Sequence, residues 1–88
     1  MKVDFRKSFL RDLKRVKDTT IRNRMRETIQ SVEQAQSLQE ISDLKKLRYG
    51  DRYYRIRIGD YRLGLALDHD TLVFVRFLHR KDLYKYFP

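Results

Sequence analysis

The sequence predicts an α+β domain in which an N-terminal helical hairpin packs on a small, mostly antiparallel, twisted β-sheet and a short helix follows at the C-terminal end. Three observations carry this. Apolar residues recur at helical spacing up to Val32, whereas after Ser42 the spacing changes to alternation. Turn signals punctuate the alternating half at Tyr49-Gly50-Asp51, Gly59-Asp60 and Asp68-His69-Asp70-Thr71. A chain of 88 residues can build only one small core, so residues 1–88 are read as a single domain without an interdomain cleft.

Each element follows from its own pattern. Val3 and Phe5 alternate with Lys2 and Asp4, which predicts a short opening strand. Phe9, Leu13 and Val16, widened by Leu10, form the apolar stripe of a helix over about residues 6 to 17, with Arg6, Lys7, Arg11, Lys14, Arg15 and Lys17 on the wet face. Asp18-Thr19-Thr20 is suited to capping, and Ile21, Met25, Ile29 and Val32 resume the stripe in a second helix. Residues 35 to 43 read as a fraying helix end and a loop. Strands are then expected over Leu44 to Arg48, Arg52 to Ile58, Tyr61 to Leu67 and Leu72 to Leu78, with Gly59-Asp60 fitting a type II′ hairpin turn. The last of these strands is apolar on both faces apart from Arg76, the mark of a central strand covered by helices on one side and by more protein or a partner on the other. His79 to Pro88 can form one or two helical turns, which must dock on the sheet to persist.

Composition narrows the function. Lys and Arg number 21 against 12 Asp and Glu, a formal charge of +9, so an anionic partner is expected: nucleic acid first, an acidic protein next. The absence of cysteine removes disulfides, thiolate chemistry and the usual structural zinc sites. No apolar run approaches membrane-spanning length and no leader-like segment opens the chain, so a soluble cytoplasmic protein is expected, with no membrane partner.

The chemistry concentrates at Tyr53 to Arg62. Alternation puts Tyr53, Arg55 and Arg57 on one face of a strand and Tyr54, Ile56 and Ile58 on the other. Arg62 shares its face with Gly64 and Ala66, whose small side chains are expected to leave a shallow floor for a phosphodiester backbone. Arg76, His79 and Arg80 are expected to reach the same exposed side. Guanidinium forks match phosphate geometry, but their high pKa makes them poor bases and reluctant acids. His79 is the nearby group whose ordinary pKa suits proton transfer. Tyr84 can hydrogen-bond a phosphate, donate a proton or stack on a base; Tyr86 and Phe87 read as packing residues. A metal bound by Asp68, His69 and Asp70 is disfavoured, because adjacent residues in a turn point apart, and no cofactor or metal is expected. At this level, RNA binding without chemistry and RNA cleavage have equal weight.

Three segments carry a family resemblance: Leu44-Lys45-Lys46-Leu47-Arg48, Tyr54-Arg55-Ile56-Arg57-Ile58-Gly59-Asp60-Tyr61-Arg62, and Phe77-Leu78-His79-Arg80-Lys81-Asp82-Leu83-Tyr84. Together they resemble the RelE/ParE superfamily of type II toxins, most closely the RelE branch. The resemblance implies a microbial-RNase-like fold, neutralisation by a cognate RelB-like antitoxin, and metal-independent cleavage of messenger RNA in the A site of the 30S ribosomal subunit. Carried over, it implies Arg55, Arg62 and Arg80 on the phosphate and transition state, with His79 or Tyr84 moving the proton. Arg57, Arg76, Lys45 and Lys46 are assigned to the RNA backbone. Arginine at Arg55 and Arg57 departs from the lysines common in the family, which removes the family's candidate base. A toxin that is monomeric without its antitoxin is expected. The alternatives are a ParE-like inhibitor of DNA gyrase and a noncatalytic RNA-binding module.

Overall fold

The computed structural model describes residues Met1–Pro88. The elements run β1 (Lys2–Phe5), α1 (Lys7–Arg15), α2 (Thr19–Gln34), a 3₁₀ turn (Leu38–Glu40), β2 (Leu44–Lys46), β3 (Tyr53–Ile58), β4 (Tyr61–Asp68), β5 (Thr71–His79) and α3 (Leu83–Tyr86). This is the expected α+β arrangement. Most boundaries differ by one or two residues, and the largest departures lie at β2: the strand expected to reach Arg48 stops at Lys46, and the expected loop before it contains the 3₁₀ turn.

The helical hairpin is closed by side-chain to backbone bonds. The Asp18 carboxylate accepts from the backbone N–H groups of Thr20 and Ile21, at 2.9 and 3.3 Å, and so caps α2. From α2, Arg22 Nη1 donates to the carbonyls of Leu13, which also accepts the Val16 N–H, and of Val16, tying α2 to the end of α1.

The sheet order is β1-β5-β4-β3-β2, antiparallel except for the β1–β5 pair. The double-faced apolar strand, β5, is accordingly an interior one. Its ladder with β1 ends at Phe5↔Phe74, and α1 then takes over the same edge. Ser8 Oγ donates to the Val75 carbonyl at 2.6 Å, and the Asp12 carboxylate accepts from the Phe77 N–H at 2.9 Å. Side chains of a helix thus do what a neighbouring strand would do for the backbone polar groups of β5.

Along β4 and β5 the register shifts between Gly64 and Leu65: Leu65 pairs with Phe74 but Gly64 pairs with Arg76, leaving Val75 as the extra residue of a β-bulge. One inserted residue reverses which face every later side chain of β5 occupies.

The two faces of the sheet carry unequal cores. Beneath α1 and α2 lies a cluster of 15 buried residues that includes Phe9, Val16, Ile21, Met25, Val32, Ile56, Ile58, Leu63, Leu65, Phe74 and Phe77. Phe5, Phe9 and Phe74 pack ring to ring with centroids 5.1 to 5.8 Å apart. On the opposite face the buried cluster has only three members, Leu47, Leu83 and Phe87, with Tyr53 and Val75 against them, beside the buried Gly64, Ala66 and Val73 of β4 and β5. That small cluster is what seats α3.

Candidate functional site: an arginine face beside the C-terminal helix

The β3–β4 hairpin builds the site. Gly59 adopts φ +58° while Asp60 stays out of the left-handed region, as a type II′ turn requires and a type I′ turn does not. The tight turn sets Arg57 directly across from Arg62, and Arg55 across from Gly64. Cross-strand partners share a face, so Arg55, Arg57 and Arg62 stand on the side away from α1 and α2. Lys45 pairs with Arg55 and joins them. At the exit of β5, the Arg80 N–H donates to the Asp60 carbonyl at 2.8 Å, which fixes Arg80 against the hairpin turn.

Arg62 is the centre of this group. Its Nη1 donates to the carbonyls of Gly59 at 3.0 Å and Tyr61 at 2.9 Å, so the guanidinium is held over the turn while its other N–H groups remain available. Partial burial lowers its pKa from the ordinary arginine value, and the charges of Arg57, Arg55 and Arg80 lower it further, against an opposing contribution from Tyr84. Four like charges are therefore gathered without a carboxylate partner, since the ion pairs of the molecule lie elsewhere. Such a group lowers its own repulsion when an anion arrives.

Tyr84 projects from α3 and is 51% exposed, near enough to act electrostatically on Arg62. Its position depends on the seat of α3. Leu83 is fully buried and Phe87 is 3% exposed. A Cβ on Gly64 would lie 2.8 Å from the Phe87 ring, so glycine is required for this close approach. The expected open floor at Gly64 and Ala66 is corrected here: the ring of Phe87 covers Gly64 and both floor residues are buried. The phosphate-sized approach is left to the arginine end of the strands. Packing is the role of Phe87, as expected, but Tyr86 is 60% exposed and lies against the Arg76 guanidinium, 5.7 Å from ring centroid to Cζ.

Three expected members of the group stand elsewhere. His79 pairs with Tyr61 on the helix-covered face, their rings 5.9 Å apart, and lines a hollow with Asp12, Arg15 and Val16. The bulge at Val75 is the reason: without it, alternation would bring His79 to the side of Arg62. Arg76 does lie on the side of Gly64, but its Nε and Nη2 donate to the Asp12 carboxylate at 2.7 and 3.1 Å. This hydrogen bonding raises the Arg76 pKa more than burial lowers it. Asp12 is 2% exposed and also accepts the Phe77 N–H, so Arg76 serves as the counter-ion of a buried carboxylate and is not free for RNA. Lys46 pairs with Tyr54 and points to the face opposite Lys45. Asp12 had one signal in the sequence, a lone acid inside a run of cations, and a helical wheel cannot tell a buried acid there from a solvated one.

Comparison with known proteins agrees with the fold and the motif order. Residues 3–84 match the family model described as ParE toxin of type II toxin-antitoxin system, parDE. The chain is 45% identical over 89 residues to Toxin RelE3 of Methanocaldococcus jannaschii, covering 100% of both. It is 28% identical over 81 residues to Putative toxin RelE1 of the same organism, covering 91% of this chain and 89% of that one. Among solved structures, the RelB-RelE antitoxin-toxin complex from Methanococcus jannaschii contains a chain matching 97% of this one and 99% of its own length, with a TM-score of 0.82 and 42% identity. The archaeal RelE-RelB complex from Pyrococcus horikoshii shares the fold at a TM-score of 0.73 and 21% identity, covering 93% of this chain and 97% of that chain. The chain belongs to the ParE toxin family of type II toxin–antitoxin systems and, within the wider superfamily, to its RelE branch.

Proposed function

We propose that this toxin is a ribosome-dependent endoribonuclease that cleaves messenger RNA in the A site and is neutralised by a RelB-like antitoxin. The observation that carries the reading is the assembly of Arg55, Arg57, Arg62 and Arg80 around one turn, beside Tyr84, without a carboxylate among them. Such a surface repels cations and attracts a phosphodiester, so the arginines themselves stabilise the charge that a metal would otherwise neutralise.

In the proposed reaction the ribose 2′-hydroxyl gives its proton to water and attacks the adjacent phosphorus, the bond to the 5′-oxygen breaks as that oxygen takes up a proton, and a 2′,3′-cyclic phosphate and a 5′-hydroxyl result. Arg62, held by the turn carbonyls, grips the non-bridging oxygens, and Arg55 and Arg80 share the charge that grows on the pentacovalent phosphate. Arg57 and Lys45 position the backbone. Tyr84 stacks on or hydrogen-bonds the substrate and is the side chain of this group able to hand a proton to the leaving oxygen. The ribosome's own RNA supplies the remaining order of the substrate. The antitoxin is an acidic segment that folds on the cationic surface; a RelB partner is present in the solved relatives. The toxin acts as a monomer in the cytoplasm.

Gyrase inhibition is the second reading, favoured by the family model's description as ParE toxin. One experiment separates the two. In a reconstituted translation reaction, primer extension maps cuts in the message, and Arg62→Ala is expected to lower the cutting rate about 100- to 1,000-fold, the usual effect of losing one charge-stabilising donor. Uncut messages together with blocked gyrase supercoiling overturn the ribonuclease reading.

A further inference from the structure

The arginine face has an extension that its motif does not announce. β2 ends opposite Ile56, so the edge of β3 beyond it, at Arg57 and Ile58, has no neighbouring strand. The chain leaves that edge at Asp43, whose φ of +62° turns it away. The gap is a hollow of about 260 Å³ lined by Arg24, Asp43, Arg57 and Gly59, without a hydrophobic residue. Arg24 reaches it from the middle of α2, and its Nη1 lies 3.4 Å from where a Cβ on Gly59 would stand. Thus two guanidiniums from different elements face one polar hollow. Neither forms an ion pair, although Asp43 lines the same space.

Arg57 belongs to both places, since it also stands across the hairpin from Arg62. A chain of phosphates passing over Arg62 therefore has a continuous cationic path around the free edge of β3. We propose that Arg24 and Arg57 form a second phosphate site, which holds the backbone phosphate neighbouring the one gripped by Arg62 in a single-stranded RNA. This rests on the ribonuclease reading and adds α2 to the substrate-binding surface. The carboxylate of Asp43 sets the limit of the hollow, since it repels a phosphate that goes deeper. Asp43 repels any anion alike, and a phosphodiester already held on Arg62 is brought to the hollow by its own chain, which a free carboxylate is not.

The test uses the full-length, antitoxin-free toxin and a fluorescent single-stranded RNA with 2′-O-methyl riboses, which binds without being cut. Affinity is measured across a salt series for the wild type, Arg24→Ala, Arg24→Lys, Arg62→Ala and Arg26→Ala, the last an exposed arginine of the same helix that lines a different hollow. Loss of one phosphate contact is expected to lower affinity about threefold to tenfold and to reduce the slope of log affinity against log salt by about 0.7. Arg24→Ala should show both effects, Arg24→Lys should recover most of the slope, and Arg26→Ala should show neither. An unchanged slope in Arg24→Ala beside a reduced one in Arg62→Ala overturns the second site and leaves the ribonuclease reading standing. Unchanged RNA binding with lost binding of a poly-glutamate probe overturns it in favour of a carboxylate partner. If the wild type shows no salt-dependent RNA binding, the second site fails, and the ribonuclease reading is decided by message cutting in the translation reaction.

Discussion

The two faces of this sheet are built on opposite rules. One is dry and redundant, with 15 buried residues from both helices, the segments that follow them and three strands sharing the load, and the other is charged and held by a cluster of three. Deleting a side chain from the first face opens a cavity that its neighbours cannot fill, whereas disturbing the second costs little in total stability but moves Tyr84. Stability and function are thereby assigned to opposite sides of the same strands, and β4 carries both: Leu63 and Leu65 downward, Arg62 and Gly64 upward.

The contrast can be broken most forcefully at Phe74. It is fully buried against Phe5 and Phe9, so Phe74→Ala is expected to cost about 3–5 kcal/mol and to unfold much of the population, as read by urea denaturation. A smaller loss would mean that the helix face is less tightly packed than its burial implies. Gly64→Ala tests the other face. Its methyl group would collide with Phe87, and the cheapest relief is for α3 to lift, so the global cost should stay near or below about 1–3 kcal/mol. Amide exchange in α3 should accelerate and cleavage should fall, while exchange in β4 and β5 stays slow. If α3 remains protected and activity is lost, the seat of α3 is not what positions Tyr84.

The smallest effect is expected at the rim shared by the two faces, where Lys2 and Asp70 pair at 3.2 Å on the surface. The side-chain hydrogen bond from Lys2 is the main cause that lowers the Asp70 pKa below the ordinary aspartate value. A depressed folded-state pKa contributes stability above the ordinary aspartate range, and that contribution is lost as pH falls through the lowered value. Melting curves of the wild type and Lys2→Ala should differ slightly at neutral pH and converge in acid. Coincident curves at every pH would show that the pair contributes nothing.

Most of the scaffold was legible because it depends on local periodicity. Of the expected stripes Phe9, Val16, Ile21, Met25 and Val32 are buried, Leu13 and Ile29 half-buried and only Leu10 exposed, the Asp18 cap forms, and the Gly59-Asp60 turn has the expected hand. The grouping of Arg55, Arg57 and Arg62 follows for the same reason, since a two-residue turn fixes their register. What escaped depends on partners far apart in the chain. Nothing local to Asp12 announces Arg76, 64 residues later, and nothing near Gly64 announces that Phe87 will cover it. Alternation along β5 puts Arg76 and His79 on opposite faces, because they stand three positions apart. Which of the two would join the arginines was decided by a bulge that alternation does not detect.

That bulge decides which side chains the arginine face carries. Straightened without loss of a residue, β5 would exchange its two sides from Arg76 onward, bringing the imidazole of His79 up beside Arg62 and turning Arg76 toward the helices, whereas deletion of Val75 would remove the extra residue and leave both where they stand. A slip of register by one residue, with no codon gained or lost, is therefore enough to set an imidazole among permanent cations while the hairpin turn stays in place. Related chains of equal length need not present the same side chains at this face, even where every arginine of the hairpin is retained.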